Sequence, residues 1–242
     1  MLAYVGLEVR RTLRDKTYVI FGIGMPVLMY LMFTNLGTGA AGSAAQWKIS
    51  SMVAMAAYGA LGAALATGAG VAEDKGLGWL RQLRTMPMSP GQAVLGRALT
   101  GSVTVLPAIV TVLLVGAVVN GVEMAGWQWA ALVVLLWLGT APFTLLGLGN
   151  GYRLSAQTTG LVNTGCMVLL AIVGGLWFPA ESFPGWLRSL SQWTPAHRFA
   201  ELGWSVTERH APGLVTVGVL VAWLAVFGGY AVHAYRRAAR TV

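Results

Sequence analysis

The sequence predicts an all-α integral membrane protein with six transmembrane helices. An interfacial helix precedes the first span, a short amphipathic helix lies between the second and third, and an amphipathic hairpin between the fifth and sixth re-enters the membrane. Three observations carry this. The 242 residues are 56% hydrophobic and 10% charged, against about 45–50% and about 25% in soluble domains. Six apolar segments reach the roughly 20 residues a spanning helix needs. The basic residues sort unevenly between the two sides.

Residues 1–17 come first. Leu2, Val5, Val9 and Leu13 recur at spacings of three and four, while Glu8, Arg10 and Arg14 fall elsewhere around the helix. Such a helix lies in the inner interface with its arginines at anionic headgroups. It does not read as a cleavable signal, because a full-length apolar run follows without a small-residue cleavage site. The spans then run Tyr18–Leu36, Ile49–Val71, Ala98–Val119, Trp127–Asn150, Thr158–Phe178 and Leu214–Tyr235.

With both termini on one side, that side holds twelve of the sixteen Lys and Arg residues. Lys48, Arg188, Arg198 and Arg209 remain on the other. The positive-inside rule therefore puts both termini in the cytoplasm of a multi-pass protein of the cytoplasmic membrane. The net charge of +8 is read as this asymmetry and not as a nucleic-acid footprint. Pro26, Pro107 and Pro142 lie within spans one, three and four, and Gly59, Gly62, Ala63 and Ala66 place small residues three and four apart on span two. That spacing suits close helix packing, and a kinked gating helix is the alternative.

Residues 72–90 form the first basic loop. Leu77, Leu80 and Arg84 share one helical face, Trp79 and Leu83 its neighbour, and Pro87 stops the helix. Ser89, Pro90 and Gln92 then supply an N-cap, a first-turn proline and a third-position glutamine for the next helix. The short helix either docks into a groove on another protein or rests on lipid. Residues 179–213 form the long outer connection. Trp186, Leu187, Leu190 and Trp193 recur at helical spacing before a break at Thr194-Pro195. A second helix places Phe199, Leu202 and Val206 on one face and Arg198, Glu201, Ser205 and Glu208 on the other. Tryptophan favours the interfacial depth such a hairpin would reach, and Arg198 and Glu201 are at pairing distance.

Chemistry within the chain is sparse. One cysteine, Cys166, excludes an internal disulfide framework or a cysteine-built metal site. The G-x-x-x-x-G-K-[ST] loop is absent, so ATP is not held by that device. His197 and Glu201 are four apart and could ligate an ion, but no third ligand is near; pairing or capping is the simpler role. Asn35, Asn150, Gln157, Asn163 and Arg153 lie near span ends, and no ionisable residue lies at mid-depth. A proton- or ion-driven carrier would bury carboxylates there. The work is expected to come from outside, and the cargo to be lipid-like or amphiphilic.

Two motifs make the whole chain resemble the permease subunits of type-2 ABC transporters, mostly exporters. The first is Glu73, Asp74, Lys75, Gly76, Trp79, Leu80, Leu83, Thr85, Pro87 and Ser89 in the first basic loop, with Gly76 where the family often has Glu. The second is Gly174, Gly175, Phe178, Pro179, Phe183, Pro184, Trp186, Leu187 and Pro195 after span five. The resemblance implies a cytoplasmic coupling helix around Gly76–Thr85, with Glu73, Lys75, Gly76, Trp79, Leu80, Leu83 and Arg84 meeting a separate ATPase dimer. ATP and Mg²⁺ would then belong to that partner, and this chain is expected to be no enzyme. It also implies re-entrant outer helices carrying Phe178, Pro179, Pro184, Trp186, Leu187, Trp193, Pro195 and Glu201. A second permease half, identical sooner than different, would complete a path for a drug, antibiotic or lipid. The alternatives are a polysaccharide or glycolipid exporter of the same fold, or a non-transporting sensor or immunity protein.

Overall fold

The computed structural model describes residues 18–35, 43–76 and 90–240. A π-helical segment, Tyr18–Gly24, leads into α1 (Met25–Asn35). There follow α2 (Ala44–Gly76), α3 (Pro90–Val103), α4 (Leu106–Val118), α5 (Gly126–Gly139) and α6 (Ala141–Arg153). The chain ends with α7 (Ala156–Val173), α8 (Gly185–Ser191), α9 (Pro195–Thr207) and α10 (Leu214–Arg240). Among the described residues all regular structure is helical.

Three prolines explain three interruptions. Proline lacks an N–H and its ring clashes with the carbonyl four residues back. Four before Pro107 is Val103, where α3 stops, and four before Pro142 is Leu138, one residue short of the end of α5. Four before Pro26 is Gly22, inside the π-helical segment. Thus α3–α4 and α5–α6 are two broken rods, each long and apolar enough to cross a membrane as one unit.

Five helices are long and apolar enough to cross a membrane: Ala44–Lys75, Val94–Val118, Gly126–Arg153, Ala156–Val173 and Leu214–Ala239. They correspond to expected spans two to six. The first expected span, Tyr18–Leu36, is a π-helical segment followed by an 11-residue α-helix. Span five also departs from expectation, ending at Val173 instead of Phe178. Gly175 has φ +78°; its N–H donates to Ile172 O and that of Leu176 to Ala171 O. This is a Schellman cap, which satisfies the last carbonyls and turns the chain away. The interfacial helix expected over Leu2–Lys16 lies outside the described residues.

The bundle is built around α2. At 33 residues it is about 50 Å long, well beyond the roughly 30 Å of a hydrocarbon core. Every residue from Ser51 to Leu61 is buried. Alanine and glycine make this helix thin, so α1, α4, α6, α7 and α9 all pack on it. Gly59 faces Pro26 and Gly62 faces Met167, in keeping with the packing role of those glycines, whereas Ala66 is exposed. The closest crossing lies further along. A Cβ on Gly68 would stand 1.9 Å from Gly147 O, and one on Gly151 2.1 Å from Gly68 O. Here the backbones of α2 and α6 touch.

Candidate functional site

At its basic end α2 finishes in Glu73-Asp74-Lys75-Gly76, and two of these side chains tie it to its neighbours. Lys75 Nζ donates to the carbonyls of Leu154 (2.6 Å), Tyr152 (3.1 Å) and Gly151 (3.3 Å). These are carbonyls at the end of α6, which an α-helix leaves without intrahelical partners; a cation is also favoured at that negative end of the macrodipole. Asp74 forms an ion pair with Arg97 of α3. Glu73 is exposed, and Gly76 is the last residue of α2. Val71, Val94, Leu148, Tyr152, Ala231, Ala234 and Tyr235 pack into a small core beside this junction. Thus α2, α3, α6 and α10 meet where the 77–89 segment departs. Trp79, Leu80, Leu83 and Arg84 lie outside the described residues.

A second feature sits about two turns deeper. Asn163 of α7 donates to Leu65 O of α2 (2.7 Å). Its Oδ1 accepts from Asn150 Nδ2 of α6 (2.7 Å), and Asn150 Oδ1 accepts from the Tyr230 hydroxyl of α10 (2.9 Å). Asn150 and Asn163 are each 5% exposed, a depth at which an unpaired amide would be costly. Each amide finds its partner on another helix, so one polar chain joins four spans. The sequence offered the asparagines but not their partners. It also offered Gly147 and Gly151, four apart in the small-xxx-small pattern of close helix contacts, on α6 instead of on the Gly59–Gly62 stripe of α2.

The hairpin of residues 179–213, expected on the outer side, lies at the other end of α2. Its two helices differ in depth. On α8, Trp186 and Leu190 are exposed and Leu187 is half-buried; Pro184 just before it and Trp193 just after it are exposed, as is Phe178 upstream, while Pro179 is half-buried. By contrast α9 is inserted between α2, α5, α7 and α10. Pro195, Ala196, Phe199, Ala200, Leu202 and Val206 are buried there. The Phe199 ring packs on Phe143 with centroids 5.4 Å apart, and Gly139 leaves room for it. Ser205, expected on the polar face, is buried instead, its hydroxyl donating to Leu202 O. Burial is tolerated because that local bond satisfies the hydroxyl.

Polar contacts fix α9 at both ends. Thr194 caps its start by accepting from His197 N. Gln128 of α5 donates to Val206 O (2.9 Å) at its end, and Trp204 Nε1 donates to Ser50 O of α2 (3.1 Å). His197 and Glu201 do not converge: His197 Nδ1 lies 3.1 Å from Gly174 O, and Glu201 takes Arg198 Nη1 at 2.7 Å. Burial lowers the His197 pKa, opposed in part by the Gly174 carbonyl and Glu201. Beyond α9, Glu208 accepts from the exposed His210 ring and raises its pKa.

The fold is thus a helical bundle with a polar junction at the foot of α2 and with α9 inserted among four other helices at the opposite end. Residues 2–203 match the family described as ABC-2 type transporter. The chain belongs to the ABC-2 type transporter family. A Bacillus subtilis (strain 168) protein, YvfS, named as a transport permease, is 26% identical over 222 residues, 91% of this chain and 90% of the relative. The chain is thus an ABC-2 transport permease, and the match to YvfS covers most of both chains.

Proposed function

We propose that this permease is the membrane half of an ATP-driven exporter that moves a hydrophobic or amphipathic molecule, such as a drug, antibiotic or lipid, across the cytoplasmic membrane. A separate ATPase pair binds ATP and Mg²⁺ and docks on the segment around Gly76–Thr85, with Trp79, Leu80, Leu83 and Arg84 as its contacts. A second, identical permease half completes the path. Both termini are cytoplasmic, so the basic end of the bundle faces the ATPase.

The observation that carries this reading is the junction at the foot of α2. Asp74 holds the last turn to α3 and Lys75 holds it to α6. The docking segment hangs between α2 and α3, so a push on it displaces both helices and, through Lys75, a third. Along α2 the displacement reaches Ser50, which is bonded to Trp204 of the inserted outer helix. Such a rod converts ATPase closure into movement of the outer hairpin, a hinge or shear motion of packed helices.

Co-purification tests it. The ATPase of the same genome that pairs with this permease is expected to co-purify with the wild-type chain in mild detergent and to be lost with Trp79→Ala/Leu83→Asp. Equal recovery with both chains would sink the assignment of the docking segment.

A further inference from the structure

We infer that the hairpin floors a water-filled cleft, which reaches the middle of the membrane from the end opposite the basic foot and admits the polar group of an amphipathic molecule. This requires that the spans cross a bilayer, and it holds with or without an ATPase partner.

The depth follows from three spans measured separately. Lys75 donates to Tyr152 O, and the Tyr152 ring packs on Tyr235 with centroids 5.2 Å apart. These residues of α2, α6 and α10 therefore mark one level at the foot. Helices rise about 1.5 Å per residue. On α2, Tyr58 lies about 25 Å above Lys75, and its ring packs on Trp177. On the α5–α6 rod, Gly139 lies about 20 Å above Tyr152 and faces Phe199. On α10, Trp223 lies about 18 Å above Tyr235, and its Nε1 donates to Trp193 O. The far level is marked by Ser50 and Gln128, about 36–38 Å above the foot, which hold Trp204 and Val206. The 13 residues of α9 make up the difference, about 20 Å. With a hydrocarbon core of roughly 30 Å, the corner between α8 and α9 sits near mid-membrane.

Two kinds of group are stranded at that depth. One is charge. At the corner Arg198 donates to the Gln192 carbonyl and, across 2.7 Å, to Glu201, whose side chain is 35% exposed. Glu181 follows Ala180, which packs on Gly175 at the end of α7. Glu181 and Arg188 are both exposed, and neither forms an ion pair with another described residue. The other is backbone. Between α7 and α8 only the single turn Ala180–Ser182 is regular, and Glu181, Ser182 and Pro184 are exposed.

Irregular backbone and charge persist at membrane depth only inside protein or along water. An unpaired charge pressed into protein is costly, so the exposed Glu181 and Arg188 select water. Elsewhere at this level the surface is of the lipid-facing kind, with Val134 and Leu138 of α5 and Val221 of α10 exposed. The sequence shows no ionisable residue at mid-span; the hairpin carries Arg198 and Glu201 there from between spans five and six. A polar group in the cleft has about 20 Å of bundle between it and the foot. On α8, Trp186 and Leu190 are exposed beside the charges, which suits the apolar part of the same molecule.

The test uses the full-length chain carrying Cys166→Ser, in sealed membrane vesicles of both orientations. The probe is a trimethylammonium-bearing methanethiosulfonate, which is charged and does not cross lipid. A thiol reacts as its thiolate, which forms in water and is suppressed in apolar surroundings. Single cysteines replace Gln192 and Trp193 at the corner, Leu138 at the same level on α5, and the exposed His210 just past α9. Gln192→Cys and Trp193→Cys are expected to react from the side that labels His210→Cys, within about tenfold of its rate, and Leu138→Cys about a hundredfold more slowly. Corner cysteines as slow as Leu138→Cys, or labelled only from the opposite side, overturn the cleft.

Discussion

Asn163 of α7 donates its side-chain amide to the Leu65 carbonyl of α2 across 2.7 Å, although the two residues are 98 apart in the chain. In lipid the apolar faces of spanning helices gain little by meeting one another, because the acyl chains are equally apolar. Polar contacts and close backbone approach then decide which helices pair. The Asn163–Asn150–Tyr230 chain and the Gly68–Gly147 crossing are therefore the specific part of this bundle.

Asn163→Leu removes the middle of the polar chain and leaves Asn150 short of one bond. A loss of about 1–2 kcal/mol is expected, since interhelical bonds in membranes average below 1 and the orphaned amide adds to that. Denaturant unfolding in mixed micelles measures it. Tyr230→Phe should cost less, because Asn150 keeps its bond to Asn163.

Gly68→Ala drives a methyl group into the Gly147 carbonyl, where only backbone can yield. Gly165 on α7 has open space around it. We expect Gly68→Ala to abolish monodisperse protein on size-exclusion chromatography. Gly165→Ala should shift stability by no more than about 0.5 kcal/mol.

At the foot of α2, Asp74 and Arg97 are about one-third exposed. Solvent screening limits such a pair to about 0.5–1 kcal/mol. Lys75→Met should cost more than Asp74→Asn, because it strips three carbonyls of their donor at once. In a reconstituted complex with the ATPase, Lys75→Met is expected to lower transport about tenfold or more while ATP hydrolysis persists. Transport and hydrolysis measured together on one preparation separate uncoupling from collapse.

The pH dependence is set by His197. Its folded pKa is lowered, so the unfolded chain binds a proton first as pH drops. The stability it contributes is fully present above the ordinary value of about 6.5 and is lost as pH falls through the lowered value. Thermal unfolding at about pH 7.5 and about pH 5.5 should show a drop that His197→Gln reduces. His210 runs the other way. Its pKa is raised by Glu208, so its contribution is present at low pH and fades as pH rises through the raised value.

The apolar segments are legible because length and composition suffice for that: α2 to α6 and α10 lie within a few residues of the expected spans, whereas α7 ends five residues early. Pro26, Pro107 and Pro142 are legible too, but not that two of the rods are broken at them. A kink depends on whether the neighbouring helices can fill the gap. The hairpin was legible as two helices from Trp186 and Phe199, yet their difference in depth was not, since amphipathic spacing does not report how many helices surround a face. The Schellman cap at Gly175 was hidden behind Trp177 and Phe178, whose apolar character extended span five on paper. Least legible was the polar chain. Asn150 and Asn163 were visible, but Leu65 offers only a backbone carbonyl, which leaves no mark in a sequence.

In the proposed function, work enters through the foot of α2 from a separate ATPase. This is tested most directly by ATP hydrolysis of the co-purified complex in nanodiscs, recorded against added lipophilic compounds, for the wild-type chain and Leu83→Asp. Stimulation by at least one compound in the wild type, absent in Leu83→Asp, is the predicted result. A permease that is stable in nanodiscs but associates with no ATPase, or hydrolysis equally stimulated in both chains, would contradict it.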